Sequence, residues 1–369
     1  MTTVSALPRL YFGTMTFGWT NSSKVINEQT AVEMLKLVQS KGINHLDSAR
    51  IYAGGKTETI LGHCFGQLSQ QNAEFRSSSI ITTKVHPSQP QGLSPTGLRE
   101  QLNTSLQAMG LTYVDELYLH QPDTENALMD SLQAADLCIK EGLVKRLGMS
   151  NYHESEVQRA IDLCKEHNWT PPTLYQGLYN PLNRRVEATL LPILRDNQIE
   201  FVAYNALAAG LLTGKHQAQQ TAAADVIPGR FKNNDNYLPR FYTDVNFQAV
   251  ATIQAALPEG LDLVTATYTW LRRHSALSAG DGILLGASSP AQLEANLLAC
   301  EAAEHGDPLP DSLLMAFEQA WEISSQGGEK EGGGGGGGGG AFPYWRGYSL
   351  DHPGREELDP GASYSAVKK

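Results

Sequence analysis

Up to about residue 300, short β-rich runs alternate with longer stretches of helical period, and titratable residues recur where those runs end. The chain has 369 residues, enough to bury a large apolar core. Together these observations predict an α/β fold of parallel strands joined by crossover helices. The fold class is a (β/α)8 TIM barrel with a glycine-rich linker and a short C-terminal tail. A doubly wound open sheet shows the same alternation, so the strand count by itself leaves closure open, but its usual G-x-G-x-x-G turn is absent after the first strand.

Taken in order, the eight strand runs are 10–15, 44–49, 79–85, 116–120, 144–150, 173–179, 200–205 and 282–287. Helix candidates between them include 29–40, 95–109, 128–140, 154–167 and 187–197. Residues 215–243 make a connection too long for an ordinary loop and aromatic at its end, the pattern of a lid over a ligand. Near residue 326 the composition turns to glycine, nine in succession, which behaves as a flexible tether. The predicted division is therefore a barrel over 1–325, a linker over 326–341 and a tail over 342–369, with the stretch from Ser349 onward reading as disordered.

Composition narrows the partners. With 28 Lys plus Arg against 39 Asp plus Glu, the net charge of −11 repels polyanions and argues against nucleic acid. The four cysteines, Cys64, Cys138, Cys164 and Cys300, form no metal or disulfide pattern, so no metal site is expected. Reduced thiols, the absence of a signal-like N-terminus and the lack of a long apolar run predict a cytoplasmic protein with no membrane span.

Asp47, Lys84 and His120 each stand where a predicted strand ends, and Tyr52 follows Asp47 in its loop. The carboxyl ends of all strands in a closed parallel barrel face one side, so these four groups would converge. Singly each has a plainer reading, as a cap, a rim aromatic, a solvated strand end or a core histidine. Their joint placement favours chemistry. His45, His63, His86 and His153 have no such support and read as structural.

The runs HLDSARIYAGGKTE, IITTKVHP, LYLHQPD, GMSNY, LYQGLYN and LLGASSPAQLEAN, in that order, resemble the aldo-keto reductases, particularly their aflatoxin-aldehyde reductase branch. The resemblance spans roughly residues 8–325 and implies a closed barrel that reduces a carbonyl substrate, with Asp47, Tyr52, Lys84 and His120 as the catalytic tetrad. Physical chemistry gives the same roles. Tyr52 is the natural proton donor, yet a phenol with a pKa of about 10 needs a neighbouring cation to release its proton, and Lys84 can supply one. Asp47 can position that ammonium, and His120 can orient the carbonyl oxygen.

The resemblance further places Ser150, Asn151 and Gln176 beside a nicotinamide carboxamide, with Tyr204 stacked on the ring. Asn205, Leu207, Gly210, Leu212 and Lys215 fall in a pyrophosphate-covering loop, Arg230 matches a cofactor-binding arginine, and Gly286, Ser288, Gln292 and Asn296 would hold the adenosine half. The Ser-Ser-Pro at 288–290 also opens a helix whose free N–H groups suit a phosphate. Lys215, Arg230 and that helix start could bind a 2′-phosphate, so NADPH is favoured as cofactor. Tyr344, Trp345 and Arg346 resemble a family ending that closes over the substrate. The alternative is a mobile tail with incidental aromatics. Oligomeric state stays open, a homodimer being what relatives of the branch suggest. The rival function is a nicotinamide-binding regulatory subunit of the same fold with little turnover, which the complete tetrad disfavours.

Overall fold

The computed structural model describes residues 7–20, 25–216, 238–326 and 341–357. Eight parallel strands close into a barrel in chain order: β1 (Arg9–Gly13), β2 (His45–Asp47), β3 (Ile80–Val85), β4 (Val114–Leu119), β5 (Val144–Ser150), β6 (Leu174–Leu178), β7 (Glu200–Tyr204) and β8 (Gly282–Gly286). Closure is made by β8 on β1, where Arg9 pairs with Gly282 and Gly13 with Gly286. This removes the open-sheet alternative.

The helices are α1 (Glu28–Ser40), α2 (Lys56–Gln71), α3 (Phe75–Ser78), α4 (Pro95–Met109), α5 (Leu128–Lys140), α6 (Glu154–His167), α7 (Leu190–Asp196), α8 (Leu238–Phe241), α9 (Asp244–Ala255), α10 (Leu263–Arg273), α11 (Pro290–His305) and α12 (Asp311–Gln326). Their boundaries follow helix grammar. Ser94 and Ser289 cap α4 and α11 through their side chains, each with proline at the first helical position. The helix expected over 187–197 is shorter, because residues 185–187 form a separate 3-10 turn and Pro192 lies in the first turn of α7, where its missing N–H does no harm.

Strand residues alternate between the helix layer and the barrel interior. Two glycines make room inside for large rings. A Cβ on Gly282 would stand 2.3 Å from the Tyr11 ring, and one on Gly148 would stand 2.5 Å from Tyr118. Neither ring could fit beside a side chain there.

One expectation about the tail is corrected. Residues 349–357 are ordered against the barrel, with Ser349 buried and Asp351 engaged by both α5 and α6. Residue-type bias suggested disorder there, but buried hydrogen bonds outweigh it. Among the described residues no helix is long and apolar enough to cross a membrane, and all four cysteines are free and buried.

Candidate active site

A cavity of about 760 Å³ opens at the carboxyl ends of the strands. Its floor is built by β2, β3 and β4. Lys84, fully buried, points its ammonium at Asp47, donating to Oδ1 and Oδ2 at 2.7 Å each and to the Ser48 carbonyl at 2.8 Å. The same nitrogen reaches Tyr52 Oη at 3.4 Å. Gln176 Nε2 on β6 donates to Asp47 Oδ1 at 2.9 Å, fixing the carboxylate from across the barrel. Burial pulls Lys84 below its ordinary value, and the Asp47 carboxylate works against that pull.

His120, one residue past β4, presents its ring edge-on to Tyr52, centroids 5.8 Å apart. Burial holds its pKa well below the ordinary histidine value, with His86, Lys84 and Arg346 adding to the effect, so the imidazole is neutral at neutral pH. Its Nδ1 has no hydrogen-bond partner among the described residues. His86 packs against it at 5.1 Å, also edge-on, and is lowered to about 4 by burial and Arg346.

The wall beyond this floor comes from β5, β7 and their loops. Asn151 sits in the left-handed region at φ 61, which asparagine tolerates. It donates to the His120 carbonyl at 2.8 Å and to Ser150 Oγ at 3.0 Å, and accepts from Tyr204 Oη at 2.8 Å. The loop after β7 turns through Ala208, Ala209 and Gly210 at positive φ, with Asn205 Oδ1 accepting from the Ala209 N–H at 2.8 Å. At the far end Ser288 donates through its N–H and Oγ to Gln292 Oε1, both at 2.8 Å.

The expected residues are mostly brought together. Asp47, Tyr52, His120, Ser150, Asn151, Gln176, Tyr204, Asn205, Leu207, Gly210, Lys215, Gly286, Ser288, Gln292 and Arg346 all line the cavity. Lys84 lies beneath it, Leu212 is in the core, and Asn296 stands behind the wall, donating to the Gly286 carbonyl at 3.1 Å. Arg230 lies outside the described residues. Tyr344 and Trp345 do not line the cavity. Tyr344 donates to the Glu154 carboxylate and Trp345 lies edge-on to His153 at 4.7 Å, so their rings pack against the start of α6, Tyr344 buried and Trp345 half-buried.

His86, taken as structural from the sequence, lines the cavity, as do Trp19, His216, Tyr242 and Tyr268. The signal for His86 was available. It stands two residues after Lys84, hence on the same face of the chain as it leaves β3. Lys215, His216 and Tyr242 belong to the long connection expected to act as a lid, whose residues 217–237 lie outside the described residues. Among the described residues no group of three or more His, Cys, Asp or Glu could hold a metal ion.

A closed parallel barrel with titratable groups gathered at the carboxyl ends of its strands defines a (β/α)8-barrel enzyme. The sequence profile of the Aldo/keto reductase family matches residues 9–306. The rat protein named aflatoxin B1 aldehyde reductase member 2 is 36% identical over 326 residues, covering 86% of this chain and 85% of its own. Human aldo-keto reductase family 7 member A3 is 35% identical over 328 residues, with 86% and 95% covered. The oxidoreductase sirO of Leptosphaeria maculans is 32% identical over 332 residues, with 86% and 94% covered. The chain belongs to the aldo/keto reductase family and is an oxidoreductase, similar to the aflatoxin-aldehyde reductase branch.

Proposed function

We propose that this oxidoreductase uses NADPH to reduce an aldehyde or ketone to an alcohol, with Tyr52 as the acid, in a cytoplasmic setting. The observation that carries the reading is the buried chain from Asp47 through the Lys84 ammonium to the Tyr52 hydroxyl at the cavity floor. NADPH, when bound, supplies a hydride, and the charge left on the carbonyl oxygen calls for donors placed to meet it.

Tyr52 gives the proton. The ammonium behind it stabilises the phenolate that results, and Asp47 holds that ammonium in place. His120 stays neutral and so carries a single ring N–H, suited to donating one hydrogen bond to the carbonyl oxygen and orienting it. Arg346 brings a guanidinium to the wall beside His86 and His120, suited to a carboxylate on the substrate.

The donor set fits a dinucleotide. Side-chain amides of Asn151 and Gln176 adjoin the reacting groups, while the Lys215 cation and the N-terminus of the 16-residue α11 stand at the other end. Ser150, Asn151 and Gln176 would hold the carboxamide and Tyr204 the ring. Gly210 lines the cavity at φ 92, a conformation that suits glycine and lets backbone approach a ligand closely, so the 205–215 loop would lie over the pyrophosphate. Ser288, Gln292 and Asn296 would take the adenosine half, and Lys215 with Arg230 the 2′-phosphate. The barrel would occupy 1–325, the linker 326–341 and the tail 342–369.

The test is oxidation of NADPH by a panel of aldehydes with purified full-length chain. Saturable turnover that drops by about two or more powers of ten in Tyr52→Phe, with cofactor affinity nearly unchanged, is expected. Tight cofactor binding with negligible turnover on every aldehyde would assign the chain to the regulatory class instead.

A further inference from the structure

The strongest unexplained feature is the segment that follows Arg346. It crosses two helix starts, and each contact is made by a specific polar group. The N-cap position of α5 is Ala127, which has no side chain able to cap. Asp351, more than two hundred residues later, does that work: its Oδ1 accepts from the Leu128 N–H at 2.8 Å. The same carboxylate pairs with Arg159 of α6, Oδ1 at 3.2 Å and Oδ2 in a shorter contact.

Three further contacts flank it. Glu156, fully buried in the first turn of α6, accepts from the Ser349 N–H at 2.5 Å and from its hydroxyl at 3.0 Å. His352 Nε2 meets Ser155 Oγ at 2.9 Å, and the Leu350 N–H donates to the Asp123 carbonyl at 3.1 Å. Upstream, the Arg346 N–H donates to the Asn151 carbonyl at 2.9 Å. The segment thus ties together the loops after β4 and β5, which carry His120 and Asn151.

We propose that residues 348–352 form a clasp, with Asp351 as its anchor, that holds Arg346 at the cavity wall and so sets the preference for carboxylate-bearing substrates. Asp351 is a positioning residue. It acts through the α5 start, through Arg159 and through the five-residue path back to Arg346, and it does not line the cavity. The clasp rests on the reductase reading for its kinetic consequence. Its effect on anion binding is independent of that reading.

The experiment uses full-length chain and two variants that attack the anchor from opposite sides. Asp351→Ala removes both the cap and the ion pair. Arg159→Ala removes only the ion pair from a partly exposed position, so it keeps the test available if Asp351→Ala fails to fold. Reduction of 4-carboxybenzaldehyde and of benzaldehyde is compared, and binding of terephthalate is titrated by tryptophan fluorescence. In both variants the KM for the carboxylate-bearing aldehyde should rise about tenfold, the scale of one charge-assisted hydrogen bond, with kcat and the benzaldehyde KM little changed. Terephthalate affinity should fall by a similar factor, and Asp351→Asn, which still caps α5, should recover part of both. A lower melting temperature with an unchanged ratio of the two KM values and unchanged terephthalate affinity would make the segment a structural strap only and overturn the clasp. If no aldehyde is reduced by the full-length chain while Asp351→Ala still weakens terephthalate, the reductase reading fails and the clasp stands.

Discussion

Lys84 is a fully buried cation, held by both oxygens of Asp47 and by a carbonyl. Such a pair contributes little net stability, because desolvation of two charges offsets their attraction, but breaking it is expensive. Lys84→Met should therefore lose reductase rate by about two powers of ten through the missing cation, and should also lose roughly 3–5 kcal/mol of stability because Asp47 is left buried and unpaired. Denaturant unfolding separates the two effects: the double variant Lys84→Met with Asp47→Asn should regain much of the stability while remaining slow. If the double variant were as unstable as the single one, the unpaired carboxylate would not be the cause. At the cofactor end, Arg230→Ala should weaken NADPH more than NADH, by about 1.5–3 kcal/mol if a charge-assisted hydrogen bond is lost. Equal weakening of both would move Arg230 away from the 2′-phosphate.

At the scale of elements, the strands fix direction and the glycines fix fit. Lys84 and Tyr118 are register partners across β3 and β4, and the ammonium lies 5.9 Å from the Tyr118 ring centre. Gly148 on β5 makes room for that ring and Gly282 on β8 for Tyr11; neither ring lines the cavity, but only Tyr118 lies against Lys84. Gly282→Ala and Gly148→Ala should each destabilise by about 1–3 kcal/mol through overpacking. Their kinetics should differ. Only Gly148→Ala is expected to change kcat, since displacing Tyr118 disturbs the groove in which Lys84 lies, and matching kcat values for the two variants would remove Tyr118 from the site's support.

Across the whole molecule, burial favours the neutral form of titratable groups that lack a close ion-pair partner. His45 and His86 are both lowered to about 4 and His120 is pushed well below the ordinary histidine value, chiefly by burial, so between pH 6.5 and about 4 the unfolded chain takes up these protons while the native chain does not. Glu116, raised to about 7 by burial, acts in the opposite sense, holding in the native state a proton that the unfolded chain releases above about 4.5. Glu156 is raised as well, but the lowered imidazoles, His216 and His274 among them, outnumber the two raised carboxyls, so between pH 6.5 and 4.5 the unfolded state binds more protons and stability falls as pH falls, by roughly 1–3 kcal/mol per pH unit. Thermal unfolding across that window should show a declining midpoint, flattened in His86→Gln. A midpoint rising toward acid would mean that the imidazoles are charged in the native state.

Much of this architecture is readable without coordinates. Short β-rich runs separated by segments of helical period specify alternating strands and helices, because burial of apolar surface is the dominant favourable energy. Titratable residues at successive strand ends then specify a convergent site, because all strands run the same way, and Asp47, Tyr52 and His120 do line one cavity. Other features depend on distance through space. Closure of β8 on β1 does not follow from the strand count, since an open sheet satisfies the same local pattern, and only the missing G-x-G-x-x-G turn and the family resemblance pointed to the barrel that the β8–β1 pairing makes. The spacing of His86 from Lys84 puts both on one face of the chain, but only the packing of its ring on His120 brings it to the cavity, and Tyr242 reaches the cavity from the long connection whose aromatic end suggested a lid. The stretch after Arg346 is polar, with Gly and Pro among its residues, and local composition favoured disorder. Its order comes from partners almost two hundred residues or more away in sequence, a buried Glu156, an uncapped α5 and Arg159, whose demand for hydrogen bonds exists only once the barrel has brought those helix starts side by side.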